Sequence, residues 1–325
     1  MEKPLPLAET ALPPLPAEAI ILTGPTASGK SSVAMALADR IECEIVSIDS
    51  IAVYRGMDIG TAKPSLADRD RVPHHLLDVV APTEEFSVAN YLARAAESAR
   101  DIIARGKRPL FVGGTPMYLK GLLYGFDPGP PADWEFRKAV EADIKICGIE
   151  ALHKRLQQVD PLSAHRLPAT DTRRITRALE VAFLTGIPIS HRQTQFEHLK
   201  PASLPRLIGL AWPRATLHQR IDRRVDTMFR DGLVDEVHTL LAKHTTLSRT
   251  AATAVGYREV IEHVRAGVSI ETTRQSVLFH TRQLARRQET WFRSLPTLTS
   301  VDVQDDQSLA KATATIAKTA LEFSR

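Results

Sequence analysis

The stretch AIILTGPTASGKS, residues 19–31, joins a short apolar run to a glycine-rich turn. Its last eight residues match the pattern G-x-x-x-x-G-K-[ST], in which glycines let backbone amides face phosphate oxygens and the next helix directs its positive end at the anion. Lys30 places a charge on the terminal phosphates, and the Ser31 hydroxyl is suited to hold Mg²⁺. The sequence therefore predicts a phosphate-binding loop made of Gly24, Pro25, Thr26, Ala27, Ser28, Gly29, Lys30 and Ser31.

Strand-like and helix-like patterns alternate around this loop. Apolar runs at 19–22, 43–48 and 109–112 have the length and composition of buried parallel strands. Residues 32–38 and 87–105 are rich in helix formers. The alternation predicts an α/β fold, a doubly wound parallel sheet of the P-loop NTPase type, with ligands bound at the carboxyl ends of the strands.

A change of composition marks a second part of the chain. The run DPGPPAD, residues 127–133, is typical of a linker, and residues 134–200 after it have almost wholly helical patterns. An apolar run at 204–213 predicts a return to the sheet, with long helices from there to the end. We therefore divide the chain into a flexible N-terminal tail at 1–17, a P-loop core at 18–126 and 201–325, and an all-helical insertion at 127–200.

The overall composition is that of a globular protein. The chain has 325 residues, of which 43% are hydrophobic, and its net charge of +4 is compatible with a polyanionic partner. No apolar run approaches the ~18 residues that span a bilayer, and residues 1–17 do not have the pattern of a signal peptide. Cys43 and Cys147 show neither metal-ligand spacing nor a disulfide framework, which favours a cytoplasmic location.

The loop by itself is typical of ATP-binding and GTP-binding proteins, so nucleotide binding remains open from the residues alone. The strand at 109–112 ends in Gly113-Gly114-Thr115 instead of the aspartate that holds Mg²⁺ in a typical partner motif. The strand at 43–48 does end in Asp49. For Asp49, a helix cap, a Mg²⁺ ligand and a catalytic carboxylate are then alternatives of about equal weight.

Seven sequence blocks, in this order, together resemble those of the bacterial tRNA dimethylallyltransferases, also called tRNA isopentenyltransferases or IPP transferases. The blocks are GPTASGKS (24–31), DSIAVYRGMDIGTAKP (49–64), PHHLLD (73–78), VGGTPMYLKGLL (112–123), DTRRITRALEV (171–181), AVGYREV (254–260) and TRQLARRQETWFR (281–293). The resemblance implies an enzyme that moves a dimethylallyl group from dimethylallyl diphosphate to N6 of adenine 37, beside the anticodon of tRNA. It also implies that diphosphate occupies the phosphate loop.

The resemblance implies roles for individual residues. Asp49 matches the carboxylate that accepts the proton of the attacking amine, and Thr115 matches a residue near that amine. Lys30, Mg²⁺ on Ser31 and Arg224 match the groups that stabilise the leaving diphosphate. The neighbouring Arg220 and Arg223 leave the choice of arginine open.

Two basic stretches are the predicted contacts with the anticodon stem-loop. Arginines cluster on one side of the helix at 171–181, opposite an apolar stripe of Ile175, Leu179 and Phe183. Further arginines recur in 281–293, on a helix whose Val277, Leu284 and Trp291 we expect to face the core. Without the resemblance, both stretches would be interpreted as solvated faces. With it, the predicted tRNA-binding residues are Asp49, Ser50, Ile51, Ala52, Thr115, Arg137, Arg173, Arg174, Ile175, Thr176, Arg177, Arg282 and Arg286.

Some positions depart from the pattern. Ala52 stands where many members have a glutamine that bonds the target adenine, so base recognition must use the backbone or another side chain. His74 and His75 are adjacent and without acidic or thiol partners at metal-ligand spacing, which favours a structural or substrate-lining role.

Three other functions compete with tRNA prenylation. They are isopentenyl transfer to a free adenine nucleotide, phosphate transfer by an ATP-dependent small-molecule kinase, and RNA binding without catalysis. The helical insertion and the basic blocks count against transfer to a free nucleotide. The 49–64 block counts against a kinase. The intact set of Lys30, Ser31, Asp49 and Thr115 counts against RNA binding without catalysis. We expect tRNA and dimethylallyl diphosphate as substrates, Mg²⁺ as cofactor, and a monomer.

Overall fold

The computed structural model describes residues 11–192 and 205–321. Residues 1–10 of the predicted tail, 193–200 of the predicted insertion, and 201–204 and 322–325 of the predicted core therefore lie outside the described residues. The elements are β1 (Ile20–Thr23), α1 (Lys30–Ala38), β2 (Cys43–Ile48), α2 (Leu66–Arg71), β3 (His74–His75), α3 (Val88–Ala104), β4 (Arg108–Gly113), α4 (Pro116–Tyr124), α5 (Trp134–Cys147), α6 (Ile149–Val159), α7 (Pro161–Arg166), α8 (Thr172–Thr185), α9 (Ile189–Arg192), β5 (Arg206–Ala211), α10 (Arg214–Arg230), α11 (Leu233–Lys243), α12 (Arg249–Ala252), α13 (Tyr257–Ala266), α14 (Ile270–Phe292), β6 (Leu298–Asp302) and α15 (Asp306–Leu321).

The described chain forms two compact units. One unit comprises residues 11–14 and 124–192, and the other comprises residues 15–123 and 205–321. The larger unit therefore carries the phosphate loop and the whole sheet, and the smaller unit carries helices α5 to α9. No helix among the described residues has both the length and the apolar character needed to cross a bilayer.

The larger unit is built on one parallel sheet. The strand order is β3-β2-β4-β1-β5-β6, and every neighbouring pair is parallel. All four residues of β1 are at most 2% exposed, and successive side chains of a strand point to opposite faces. Both faces of the central strand are therefore covered, which confirms the predicted α/β fold.

The strands that carry site residues end at the same edge of the sheet. Ile48 in β2 pairs with Gly113 in β4, and Leu22 in β1 pairs with Val112. A Cβ atom on Gly113 would lie 2.2 Å from the carbonyl oxygen of Ile48, so only glycine allows the two strands to end this close together. The register therefore brings the phosphate loop, Asp49 and the 113–115 turn to one place.

Two predictions about the outer parts of the larger unit were wrong. Helices alone were expected after 213, but β6 adds an edge strand that pairs with β5. Its burial pattern is half exposed, without a continuous apolar run, so pairing with β5 identifies it better than its composition does. The predicted tail is also packed near its end, because the side chain of Leu15 is only 4% exposed.

The smaller unit has its own apolar core. Val140 from α5, Leu156 from α6 and Ile175 from α8 meet there, each at most 2% exposed. Asp171 caps α8 by accepting the N–H of Arg174. The predicted apolar stripe of α8 ends early, because Phe183 is 68% exposed and stacks on the ring of Phe136.

Candidate active site

A cavity of about 640 Å³ lies at the carboxyl edge of the sheet, entirely within the larger unit. The phosphate loop forms one wall, and the ends of β2 and β4 form another. A loop at 60–64 and the side chains of α10 and α14 complete it. The cavity therefore brings together most of the residues that the sequence assigned to chemistry, which are Lys30, Ser31, Asp49, Thr115 and Arg224.

The phosphate loop leads into the first turn of α1, which has no side-chain cap. Gly29, with a φ of 87°, directs the chain into α1, and no side chain caps the first turn. The Lys30 Nζ atom donates to the carbonyl oxygens of Gly24 at 2.9 Å and Pro25 at 2.7 Å. Burial, and next the positive charge of Arg224, lower the pKa of Lys30 to about 7, while Asp49 opposes the shift. A bound anion would favour the charged form of Lys30.

Two side chains support the loop from behind. The Trp212 Nε1–H donates to the carbonyl oxygen of Ser28 at 3.0 Å, and Arg220 Nε donates to that of Ala27 at 2.8 Å. The Arg220 guanidinium also lies 4.4 Å from the centre of the Trp212 ring and pairs with Asp306. Arg220 is therefore engaged in holding the loop.

Arg224, one turn along α10, is placed differently. Its guanidinium donates to the Thr61 carbonyl oxygen at 3.3 Å, at the rim of the cavity. Burial lowers its pKa, and the negative charge of Asp49 opposes that effect. Arg223 is exposed, although it also lines the cavity. Of the three arginines that the sequence left open, Arg224 is the one whose charge acts on both Lys30 and Asp49.

Asp49 closes the turn that follows β2. Its Oδ1 atom accepts the backbone N–H groups of Ile51 at 2.8 Å and Ala52 at 3.1 Å. The Thr115 hydroxyl accepts the N–H of Ser50 at 3.2 Å, which links this turn to the end of β4. Ala52 is 5% exposed, and its small side chain adds no polar group to the cavity.

The loop at 58–64 is held by residues that sequence reasoning missed. Glu236 accepts the N–H groups of Asp58 and Ile59, both at 2.8 Å, and the hydroxyl of Tyr257 at 2.6 Å. A Cβ atom on Gly60 would lie 2.4 Å from the ring of Tyr257. The available signal was weak, because Tyr257 lies in the quoted 254–260 block but Glu236 lies in none.

Lys63 supports the same loop from the other side. Its Nζ atom donates to the carbonyl oxygen of Tyr54 and to the carboxylates of Asp58 and Asp78, each at 2.6 Å. The side chain is only 2% exposed. Lys63 therefore has a structural role.

The arginines of the smaller unit have two kinds of surroundings. Arg137 and Arg177 both pair with Glu180, whose side chain is 0% exposed, at distances of 2.7 and 2.6 Å. Arg173 and Arg174 are exposed on α8. The first pair therefore neutralises a buried carboxylate, and the second pair is accessible to a polyanion.

One predicted contact is wrong because of burial. Ile175 was included among the tRNA-binding residues, but its side chain is 0% exposed and belongs to the core of the smaller unit. Thr176, its neighbour, is partly exposed. Position 175 falls on the buried face of α8, so its side chain points away from a partner bound at the exposed face.

On α14 the buried face differs from the one that the sequence predicted. Val277 is buried as expected, but Leu284 lines the cavity and Trp291 lies beside a surface groove with Arg286. Arg286 is exposed, whereas Arg282 donates two hydrogen bonds to Asp222 at 2.6 and 2.8 Å. The buried positions follow a four-residue spacing better than the seven-residue spacing that we assumed.

The two histidines lie in β3 at the edge of the sheet. His75 Nε2 lies 2.8 Å from the carboxylate of buried Glu44, and His74 Nδ1 lies 2.7 Å from the carbonyl oxygen of Val72. Neither histidine is among the residues that line the cavity. Their contacts are structural.

The cavity offers oxygen ligands for a metal ion. Ser31 lies in the first turn of α1, and Asp49 follows β2, and both line the cavity. Mg²⁺ usually takes one or two protein oxygens together with phosphate oxygens and waters, so this sparse donor set fits it. Within residues 11–192 and 205–321, no group of three histidine, cysteine, aspartate or glutamate side chains forms a metal cage.

The fold and the cavity define a class of protein. A glycine-rich loop between β1 and α1, with a lysine and an arginine around it, is the phosphate-binding arrangement of P-loop proteins. The family model described as IPP transferase matches residues 52–295. The chain belongs to the IPP transferase family.

Named relatives agree with this family. A tRNA dimethylallyltransferase of Rhodopirellula baltica is 56% identical over 289 residues, which are 86% of each chain. A tRNA dimethylallyltransferase of Thiobacillus denitrificans is 43% identical and covers 96% of this chain and 98% of its own.

Solved structures show the same fold. The full-length tRNA isopentenylpyrophosphate transferase of Bacillus halodurans has a TM-score of 0.67 at 35% identity, covering 94% of this chain and 97% of its own. A eukaryotic dimethylallyltransferase described as acting on tRNA has a TM-score of 0.79 at 25% identity, covering 92% and 77%. The likeness therefore extends over nearly the whole chain.

Proposed function

We propose that this protein transfers the dimethylallyl group of dimethylallyl diphosphate to N6 of adenine 37 in tRNA and releases diphosphate. The observation that carries the proposal is the single cavity in which the phosphate loop faces Asp49 and Thr115. The relatives named tRNA dimethylallyltransferase support the choice of this reaction over phosphate transfer, for which the same loop could serve.

The reaction exchanges one bond for another. The nitrogen of the adenine amine forms a bond to C1 of the dimethylallyl group as the bond from C1 to the diphosphate oxygen breaks. The amine must lose a proton, and the Asp49 carboxylate accepts it as general base. Thr115 lies next to this position, because its hydroxyl binds the turn that Asp49 begins.

Lys30 and Arg224 stabilise the negative charge that develops on the departing diphosphate. Lys30 donates to two carbonyl oxygens of the loop, and a bound diphosphate would offer it stronger, charged acceptors. Ser31 would hold Mg²⁺ together with the diphosphate, and the ion would supply further charge neutralisation. Arg220 acts indirectly, by fixing the backbone of the loop.

The RNA partner is the anticodon stem-loop of tRNA. Its phosphates bind basic side chains at the surface, and Arg173, Arg174 and Arg286 are exposed, with Arg174 also paired to Asp171 at 3.2 Å. The target base must leave the stack to enter a cavity that holds the reacting groups. We further propose that the protein acts as a monomer, because Lys30, Asp49 and Thr115 line one cavity of one chain and suffice for the chemistry. We also propose that it acts in the cytoplasm, where free thiols such as those of Cys43 and Cys147 stay reduced.

One assay tests the proposal against its competitors. The full-length protein is incubated with labelled dimethylallyl diphosphate and Mg²⁺, and with an unmodified tRNA transcript that has adenine at position 37. A transcript with guanosine 37 is the control, and AMP and ATP are supplied in separate reactions. We expect label only in the adenine 37 transcript. Label in AMP alone, or phosphate release from ATP alone, would contradict the proposal.

A further inference from the structure

Gln288 on α14 lies between two turns at the carboxyl edge of the sheet, and its side chain is only 8% exposed. Its Oε1 atom accepts the N–H of Thr26 at 2.9 Å, and its Nε2 atom donates to the carbonyl oxygen of Gly114 at 2.9 Å. Thr26 belongs to the phosphate loop, and Gly114 precedes Thr115. One side chain thus joins the turn that would hold the diphosphate to the turn beside the reacting amine.

The side-chain amide of Gln288 satisfies both partners at once. The N–H of Thr26 can only donate and the carbonyl oxygen of Gly114 can only accept, so the orientation of the Gln288 amide is determined by its surroundings. Glutamate at neutral pH offers acceptors alone, and its carboxylate would face the Gly114 carbonyl oxygen. Lysine offers donors alone, and methionine offers neither at useful strength.

The two turns also lie close to each other. A Cβ atom on Gly114 would lie 2.9 Å from the carbonyl oxygen of Gly24 and 2.8 Å from Nε2 of Gln288. A side chain at position 114 would therefore require one of these groups to move. The Gln288 side chain therefore helps to set how far the phosphate loop stands from the Gly114–Thr115 turn, together with the Thr23 hydroxyl, which donates to the carbonyl oxygen of Gly113 at 2.9 Å.

We propose that Gln288 is a positioning residue that aligns the bound diphosphate with the adenine amine. The inference rests on the proposed transfer reaction, and it assigns Gln288 no contact with the reacting atoms. Each turn retains its own ligand-binding groups when Gln288 is replaced, so substrates still bind. Alignment matters chiefly in the transition state, so its loss lowers kcat more than it raises KM.

The test replaces Gln288 with methionine, which has a similar length and loses both hydrogen bonds. We expect kcat to fall between about 10-fold and 100-fold, while KM for dimethylallyl diphosphate and for tRNA changes by less than about 3-fold. The dissociation constant of inorganic diphosphate should also change by less than about 3-fold. Gln288→Glu keeps the acceptor for Thr26 but places a carboxylate oxygen against the Gly114 carbonyl oxygen, so kcat should fall in this variant too; it also serves if the methionine variant does not fold.

The matched control is Gln275→Met on the same helix, because Gln275 is exposed and its amide donates to the carboxylate of Glu271 at 3.0 Å. It should keep the wild-type kcat. An unchanged kcat in a folded Gln288→Met protein would overturn the positioning role, and so would a rise in KM alone. An inactive wild-type protein would instead overturn the proposed function itself, so the two failures are distinguished.

Discussion

The carboxylate of Asp49 has two tasks that can be separated by mutation. As an acceptor, its Oδ1 atom holds the N–H groups of Ile51 and Ala52 and so shapes the turn after β2. As a base, it would take the proton of the adenine amine. Asparagine retains a side-chain oxygen for the turn but cannot accept the proton, whereas alanine removes both functions.

We expect Asp49→Asn to lower the single-turnover rate of transfer by about 10²-fold to 10⁴-fold, the usual contribution of a general base. Binding of the anticodon stem-loop, measured by fluorescence anisotropy, should change by less than about 2-fold, because the turn is preserved. A wild-type rate in this variant would refute the assignment of Asp49 as the base.

The two arginines of α10 that contact the loop and the cavity should respond differently to substitution. Arg224→Met should lower kcat/KM by about 10²-fold, as loss of a group that stabilises a developing charge does. Arg220→Met should mainly lower the thermal unfolding midpoint, because Arg220 bonds the Ala27 carbonyl oxygen and Asp306. The reverse pattern of effects would show that Arg220 is the diphosphate ligand.

At the scale of the element, helix α8 carries arginines with different roles. Arg173 is exposed, whereas Arg177 pairs with Glu180 and donates to the carbonyl oxygens of Pro128 and Pro130. Two neighbouring arginines of equal charge are therefore distinguished only by what packs around them.

We predict that Arg173→Ala weakens stem-loop binding and reduces the slope of log affinity against log salt concentration by about 1. Arg177→Ala should leave that slope closer to the wild-type value and cost about 1–3 kcal/mol of unfolding free energy, since Glu180 loses one of its charged partners. Equal salt slopes for the wild type and Arg173→Ala would count against an RNA contact at this position.

The element scale also shows how far patterns along the chain predict structure. The helix at 87–105 was recognised from its composition, and the structure has α3 at Val88–Ala104 with a capping box at Ser87. The buried face of α14 was not recognised, because a helix buried against several neighbours does not follow one simple spacing. Glu236 and Gln288 were missed for a related reason, since their partners are 177 and 174 residues away in sequence.

At the scale of the whole molecule, a cluster of charged side chains around the buried Glu44 connects neighbouring parts of the sheet near the start of β2. Glu44 is only 1% exposed and accepts hydrogen bonds from Arg105, Lys107 and His75. Burial opposes the ionisation of Glu44, but hydrogen bonds from Arg105, His75 and Lys107 outweigh it and lower the pKa to about 2. The ionised carboxylate therefore connects β2, β3 and the segment that leads from α3 into β4.

The sign of the pH dependence follows from this lowered pKa. Because the folded state holds Glu44 ionised more firmly than the unfolded chain does, its stabilisation is present above about pH 4.5 and is lost as the pH falls toward about 2. Glu44→Gln should lower the unfolding free energy by about 3 kcal/mol at pH 7 and flatten its decline in acid. Urea unfolding curves at several pH values measure both effects, and an unchanged acid slope would contradict the assignment.

The sequence by itself determined the phosphate loop, the alternation of strands and helices, and the family. These depend on glycine placement, short apolar runs and local capping, which act over a few residues. Only the tertiary structure decided which cations remain available to a ligand: Arg224 lies at the cavity, Arg220 supports the loop, Lys63 is enclosed by carboxylates, and Arg177 neutralises Glu180. The physical reason is that a charge is neutralised by whichever side chains folding brings beside it, and those come from distant parts of the chain.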